Sequence, residues 1–161
     1  YWLVKIFREK YNIHCSTGIL FNHESSLRSN EFVTKKIINV SKKIKKNKKL
    51  KLKLGDINVI RDWGWAPEYV EAFWKILQLS KPCDLVLGTG KIYSIKEFVF
   101  EVFKLLKINK KHLAYNLKEF HRDLDIKGYR ADVRLAKKKI NWSPKINFKQ
   151  IIYKMVNDKL F

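Results

Sequence analysis

Three short segments of the sequence each combine an Arg with a carboxylate. They are Asn22-His23-Glu24-Ser25 with Arg28 just after it, Arg61-Asp62-Trp63-Gly64, and Arg122-Asp123-Leu124-Asp125. A guanidinium is a planar fork that binds two phosphate oxygens at once, whereas the ammonium of Lys is a point charge. Only six of the 35 basic residues are Arg, so three Arg in such segments indicate positions where Lys does not substitute. The pattern predicts a diphosphate or sugar-nucleotide site, with turn capping and surface ion pairs as the simpler alternatives.

Two patterns in the sequence are typical of oxidoreductase active sites, but one is unspecific and the other is incomplete. Tyr1 and Lys5 lie one helical turn apart, the spacing at which a Lys can lower the pKa of a catalytic Tyr, but any helix meets this spacing often. Gly88-Thr89-Gly90 follows an apolar run, but the dinucleotide-binding pattern needs a third glycine where Tyr93 stands. We therefore assign no catalytic residue in this chain.

The sequence predicts no metal site and no disulfide framework. The four His are scattered, and none forms a helix-face pair with another His and a carboxylate. Cys15 and Cys83 are too few for a disulfide scaffold or a four-Cys zinc site.

Strands alternating with helices predict an α/β fold that positions these segments. The predicted order is helix 1–11, strand 13–21, polar loop 22–30, a Lys-rich helix from about Glu31, short strands 50–54 and 57–60, helix 66–79, strand 84–87, helix 95–106, and short helices 132–140 and 147–157. Ser94 and Glu97 predict a capping box at the start of helix 95–106. The first two Arg segments follow predicted strands, and ligands of open α/β sheets bind at the carboxyl ends of strands.

The composition is that of a folded but strongly basic chain. With 161 residues, 46% of them hydrophobic, the chain is neither disordered nor long enough in its apolar runs to span a membrane. The net charge of +20 makes a nucleic-acid partner the first alternative. The segment Lys35–Lys53, with ten Lys and no acid, is either a phosphate-binding face or the solvated side of a helix. The helical spacing of Phe32, Ile37, Val40 and Ile44 favours the solvated helix.

Longer motifs resemble a known family. Two of them closely resemble the GDP-mannose 4,6-dehydratases of the extended short-chain dehydrogenase/reductase family. The first is Gly18-Ile-Leu-Phe-Asn-His-Glu-Ser25 with Leu27-Arg28 and Phe32–Ile37, and the second is Arg61-Asp-Trp-Gly-Trp-Ala-Pro-Glu-Tyr-Val-Glu-Ala-Phe-Trp74. The resemblance is colinear over the whole chain. It implies that residues 1–161 are the C-terminal half of such an enzyme, with the last Rossmann elements and the small α/β sugar-nucleotide domain, and that the NADP-binding half is absent.

The resemblance also implies roles for individual residues. His23 and Arg28 match positions that contact NADP. The positions that hold the GDP-sugar, the basic ones chiefly at its diphosphate, are Asn22, Val33, Lys36, Arg61, Arg122 and Asp125. The family has Glu where Asp125 stands, so a shorter carboxylate is expected there.

The expected reaction of the intact enzyme is dehydration of GDP-mannose to GDP-4-keto-6-deoxy-mannose with bound NADP. The catalytic residues of the family lie upstream of this chain, so the isolated chain is expected to be inactive. A cytoplasmic homo-oligomer without a membrane or specific nucleic-acid partner is expected. The alternatives are a small basic nucleic-acid-binding module and another GDP-sugar reductase or epimerase.

Overall fold

The structure of the chain is a computed structural model that describes residues 1–120 and 128–159. Helices and short strands alternate through these residues, which confirms the predicted α/β class. The helices are α1 (Trp2–Tyr11), α2 (Val33–Lys46), α3 (Ala66–Leu77), α4 (Ile95–Leu106), α5 (Arg134–Ile140) and α6 (Phe148–Val156). The strands are β1 (Gly18–Leu20), β2 (Asn22–Glu24), β3 (Leu52–Lys53), β4 (Ile60–Arg61), β5 (Trp63–Trp65), β6 (Leu85–Leu87), β7 (Tyr93–Ser94) and β8 (Leu113–Ala114).

The strands of the described residues pair two at a time. β1 runs parallel to β6, β2 to β5 and β3 to β8, whereas β4 and β7 are antiparallel. Parallel partners need a long crossover between them, which explains why each parallel pair joins strands far apart in the sequence. The pairing of β2 with β5 places Asn22 opposite Trp63.

Two hydrophobic cores support this arrangement. The larger one packs α2, α4 and α6 together, with Ile37, Phe98 and Ile151 fully buried. The smaller one joins α3, β6 and α5 around Tyr69 and Trp142. Within the described residues, no helix is both long and apolar enough to cross a membrane.

The helix termini follow local sequence rules. The Ser94 hydroxyl accepts from the Glu97 N–H at 3.1 Å, and the Glu97 carboxylate accepts from the Ser94 N–H at 2.6 Å, which confirms the predicted capping box. A second box that we did not predict joins Asn147 and Gln150 at the start of α6. Pro67 lies in the first turn of α3, where its missing N–H leaves no helical hydrogen bond unmade.

The Lys-rich helix is amphipathic, as its apolar spacing predicts. α2 begins at Val33, two residues later than predicted, and buries Ile37, Ile38 and Ile44, while Lys43, Lys45 and Lys46 are exposed. The prediction that Phe32 belongs to the buried face is wrong, because 45% of its surface is exposed.

The predicted strand 13–21 and loop 22–30 are also wrong in their boundaries. β1 covers only Gly18–Leu20, and Asn22–Glu24 form β2 instead of a loop. Likewise, Arg61 lies in β4 and not in a loop. In each case the deciding hydrogen-bond partner is a distant strand, which local pattern does not reveal.

Candidate functional site

A cavity of about 700 Å³ lies between β2, the start of α2, the connection from β3 to β4, and the 3-10 turn Lys118–Phe120. Its size is that of a small-molecule site. The structure brings together here a set of residues that the resemblance implied for ligand binding: Asn22, Arg28, Val33, Lys36 and Arg61.

Strand pairing explains why the first two Arg segments meet. Parallel β2 and β5 place Asn22 opposite Trp63, and Arg61 lies two residues before Trp63 at the end of β4. The first turn of α2 adds Val33 and Lys36, which are one helical turn apart. The pairing of β2 with β5 therefore brings Asn22 and Trp63, which both line the cavity, side by side.

Three cations line the cavity together with four acidic side chains, which are Glu24, Glu31, Asp56 and Glu119. Arg28, Lys36 and Arg61 all line it. The Lys36 ammonium lies 4.1 Å from the centroid of the Phe120 ring, and Arg61 Nη1 donates to the Ile60 carbonyl at 2.8 Å. Guanidinium and ammonium groups converging on one cavity can bind a diphosphate through charge-assisted hydrogen bonds.

Glu24 is a buried carboxylate at the edge of this cavity, and the sequence analysis assigned it no role of its own. Only 1% of its surface is exposed, its Oε2 accepts a hydrogen bond from the Thr34 hydroxyl at 2.7 Å, and the same oxygen lies 3.5 Å from Arg28 Nε. Burial raises the pKa of the Glu24 carboxyl, and Thr34 and the Arg28 charge oppose that rise. The i,i+4 spacing of Glu24 and Arg28 was the available signal, but in a predicted loop it carried no geometric meaning.

Phe32 lines the cavity, although its spacing predicted a place on the buried face of the Lys-rich helix. The Arg28 guanidinium carbon lies 3.5 Å from the centroid of the Phe32 ring, a close cation–π contact. Phe32 therefore lines the cavity beside Arg28 and is not part of the core beneath α2.

Asp62 holds the strands behind the cavity in place. We expected this carboxylate to hold Arg61, but its oxygens accept from the Thr89 N–H, the Thr89 hydroxyl, the Gly90 N–H and the Ala131 N–H at 2.5–3.3 Å. One buried side chain thus joins β4 and β5 to the turn after β6 and to the segment before α5. The Gly88-Thr89-Gly90 turn is therefore held by the Asp62 carboxylate.

His23 does not line the cavity, although it lies beside Asn22 in β2. Its Nδ1 is 3.0 Å from the Phe21 carbonyl oxygen, and its ring is 5.3 Å from that of Tyr69. Burial, with the nearby charges of Asp62 and Glu68, raises the pKa of the Tyr69 hydroxyl. Glu24 follows His23 in the chain and lies 3.5 Å from Arg28 Nε, and the expected contacts of His23 and Arg28 with NADP stay a prediction.

Tyr1 and Lys5 do not line the cavity. Arg122 and Asp125 lie outside the described residues. Tyr1 is 55% exposed, and the Lys5 ammonium lies 4.0 Å from the Glu9 carboxylate. In the part of the chain that the structure describes, no three His, Cys, Asp or Glu side chains are grouped as metal ligands would be.

Comparison with known families assigns the chain. The sequence model of the GDP-mannose 4,6 dehydratase family matches residues 1–155. The chain belongs to this family. It is 38% identical over 160 residues to GDP-mannose 4,6 dehydratase 1 of Arabidopsis thaliana, a match that covers 99% of this chain and 44% of that protein. It is 37% identical over 175 residues to the GDP-mannose 4,6 dehydratase of Homo sapiens, covering 98% and 47%. The chain therefore spans under half the length of these GDP-mannose 4,6-dehydratases.

Solved structures show the same fold. The dTDP-glucose 4,6-dehydratase of Bacillus anthracis, solved with NAD, superposes with a TM-score of 0.83 at 18% identity and covers 97% of this chain and 48% of its own. RMD from Pseudomonas aeruginosa, solved with NADPH, gives 0.83 at 18% identity, covering 98% and 52%. This GDP-mannose 4,6-dehydratase family member thus has the fold of short-chain dehydrogenase/reductase dehydratases and epimerases, as predicted.

Proposed function

We propose that this chain is the nucleotide-sugar-binding, C-terminal half of a GDP-mannose 4,6-dehydratase. In the intact enzyme it holds GDP-mannose for dehydration to GDP-4-keto-6-deoxy-mannose. The observation that carries the proposal is that Arg28, Lys36 and Arg61 line one cavity together with Asn22 and Val33. Family membership supports the choice of GDP-mannose over other sugar nucleotides.

The residues of this chain bind and orient the substrate. Lys36 and Arg61 bind the diphosphate, because both cations line the cavity that the amide of Asn22 also lines. We propose that Arg122 joins them at the diphosphate and that Asp125 contacts the ribose, as the family resemblance implies. An oriented substrate lowers the entropic cost of the chemical step, which is what this half of the enzyme contributes.

NADP is the cofactor that we propose for the intact enzyme, where it supplies hydride transfer. The Gly88-Thr89-Gly90 turn does not form a dinucleotide phosphate loop. Tyr93 stands where the phosphate loop needs a glycine, and Asp62 already holds the Thr89–Gly90 turn. We therefore derive no step through NADP from this chain, and we propose that the other half of a cytoplasmic homo-oligomeric enzyme supplies most of its site.

The test is ligand binding by the purified 161-residue chain, measured by isothermal titration calorimetry. We expect GDP-mannose to bind more tightly than UDP-glucose, and Lys36→Met to weaken GDP-mannose binding roughly tenfold. Lys43→Met is the matched control, because Lys43 is an exposed lysine of the same helix that does not line the cavity. Equal affinity for both sugar nucleotides, or equal losses in the two variants, would contradict the proposal.

A further inference from the structure

The Arg28 side chain combines burial with hydrogen-bonding capacity that the protein does not use. It is only 19% exposed, and its Nε is buried without a hydrogen-bond partner. Within residues 1–120 and 128–159, its terminal nitrogens make no hydrogen bond either. Unsatisfied donors on a largely buried cation cost free energy, so this arrangement favours an anion that accepts from the fork.

Two neighbouring side chains restrict where the guanidinium can lie. The ring of Phe32 covers its flat face at 3.5 Å, and Glu24 Oε2 faces its Nε edge at 3.5 Å. Arg28 therefore has one face and one edge occupied by protein, while it still lines the cavity.

Thr34 fixes the oxygen that faces Arg28. Its hydroxyl donates to the same Glu24 Oε2 at 2.7 Å, and both Thr34 and Glu24 are 1% exposed. Because Thr34 belongs to the first turn of α2, the helix that presents Lys36 also determines the position of the Glu24 carboxylate. The orientation of Arg28 is thus coupled to the position of another cation of the cavity.

We propose that Glu24 and Phe32 are positioning residues that orient the Arg28 guanidinium, so that its two terminal nitrogens bind a phosphate group in the cavity lined by Lys36 and Arg61. We call Glu24, Phe32 and Thr34 the Arg28 cradle. The inference deepens the proposed function and rests on it only for the identity of the ligand. The phosphate belongs either to the sugar nucleotide or to a dinucleotide cofactor, and the separate probes of the test distinguish the two.

The test is a set of double-mutant cycles on the 161-residue chain. Glu24→Gln keeps an acceptor for Thr34 and removes the charge, Phe32→Leu keeps apolar volume and removes the flat face, and Arg28→Lys keeps the charge and removes the fork. Phe100→Leu is the matched control, because the Phe100 ring lies under Lys110 at 4.3 Å, away from the cavity. Titrations use inorganic pyrophosphate, GDP-mannose and NADP⁺ as three separate probes. The Arg28 Nε–H signal in NMR spectra of the ligand-free chain reports the cradle directly.

We expect Glu24→Gln and Phe32→Leu each to weaken pyrophosphate and GDP-mannose binding about 3- to 30-fold, the range that a partly desolvated cation–π or ion-pair contact spans. In the Arg28→Lys background, the same changes should have almost no further effect. Phe32→Leu should also shift the Arg28 Nε–H signal by removing the ring current, and Phe100→Leu should change neither binding nor that signal. A loss confined to NADP⁺ would support the cradle and assign the phosphate to the cofactor.

The remaining outcomes separate this inference from the proposed function. Equal losses with and without Arg28, or no loss in either cradle variant, would overturn the positioning role even if GDP-mannose binds well. Arg28-dependent binding of pyrophosphate without any preference for GDP-mannose would support the cradle and overturn the proposed function. No binding of any probe by the wild-type chain would overturn both.

Discussion

Asp62 Oδ1 accepts two hydrogen bonds from the same residue, Thr89, at 2.9 Å from the backbone N–H and 2.5 Å from the hydroxyl. Its Oδ2 accepts from the N–H groups of Gly90 and Ala131. A carboxylate that is 1% exposed thus ties three separate segments of the chain together. Because Asp62 directly follows Arg61, these hydrogen bonds attach the end of β4 to the turn after β6 and to the segment before α5.

Asp62→Asn should destabilise the chain by about 2–4 kcal/mol. The substitution replaces one carboxylate oxygen by an NH₂ group, which cannot accept the backbone hydrogen bonds that this oxygen accepts. Thr89→Val removes only the hydroxyl and should cost about 1–2 kcal/mol. Urea unfolding of both variants measures the difference. A similar cost for the two would contradict the central role of Asp62.

Protonation of Asp84, which pairs with Arg8, should lower the stability of the chain in acid. Arg8 donates to both Asp84 oxygens at 3.1 and 2.5 Å, and the side chains are 20% and 18% exposed. The hydrogen bonds from Arg8 hold the pKa of Asp84 below its ordinary value, with a smaller opposing effect of burial. The folded state therefore favours ionised Asp84, so its contribution is complete above about pH 4 and is lost as the pH falls through the lowered pKa.

Asp84→Asn should accordingly lower stability by about 1–2 kcal/mol at neutral pH and flatten its dependence on pH below about pH 4. Asp132→Asn is the matched control. Arg134 lowers the pKa of Asp132 to about 2, but this pair is exposed, so its removal should leave stability unchanged at neutral pH. Thermal unfolding at several pH values checks both variants, and equal effects would contradict the prediction.

The capping box of α4 should make a local contribution to stability. Ser94→Ala removes the acceptor of the Glu97 N–H and should cost about 1 kcal/mol. Ser94→Thr keeps the hydroxyl and should cost less than half of that. Chemical unfolding measures both, and an equal loss would show that the hydroxyl is not what caps the helix.

The isolated chain should not dehydrate GDP-mannose. Hydride transfer needs a nicotinamide and an acid/base side chain held in register, and Tyr1 with Lys5 does not supply this, because Tyr1 is exposed and Lys5 pairs with Glu9. Incubation with GDP-mannose and NADP⁺, followed by detection of the keto sugar, checks this. Turnover by the purified chain would refute the assignment of the catalytic residues to the other half of the enzyme.

The local features were predictable from the sequence. Ser94 and Glu97 are three residues apart, and the helix that they cap needs no distant partner to begin. The apolar spacing around Ile37 and Ile44 likewise placed α2 and its solvated lysines, because helical periodicity determines which face is buried. The longer motifs added the family, which composition and charge alone did not indicate.

Only the tertiary structure decided the strand partners and the grouping of the site. Asn22–Glu24 became a strand because Trp63–Trp65 pairs with it, and Asp62 found its partners at Thr89 and Ala131. The same packing put Arg28 with Lys36 in one cavity and left His23 against Tyr69. Contacts between residues distant in sequence depend on how whole elements pack, and the pattern of any one segment does not contain that information.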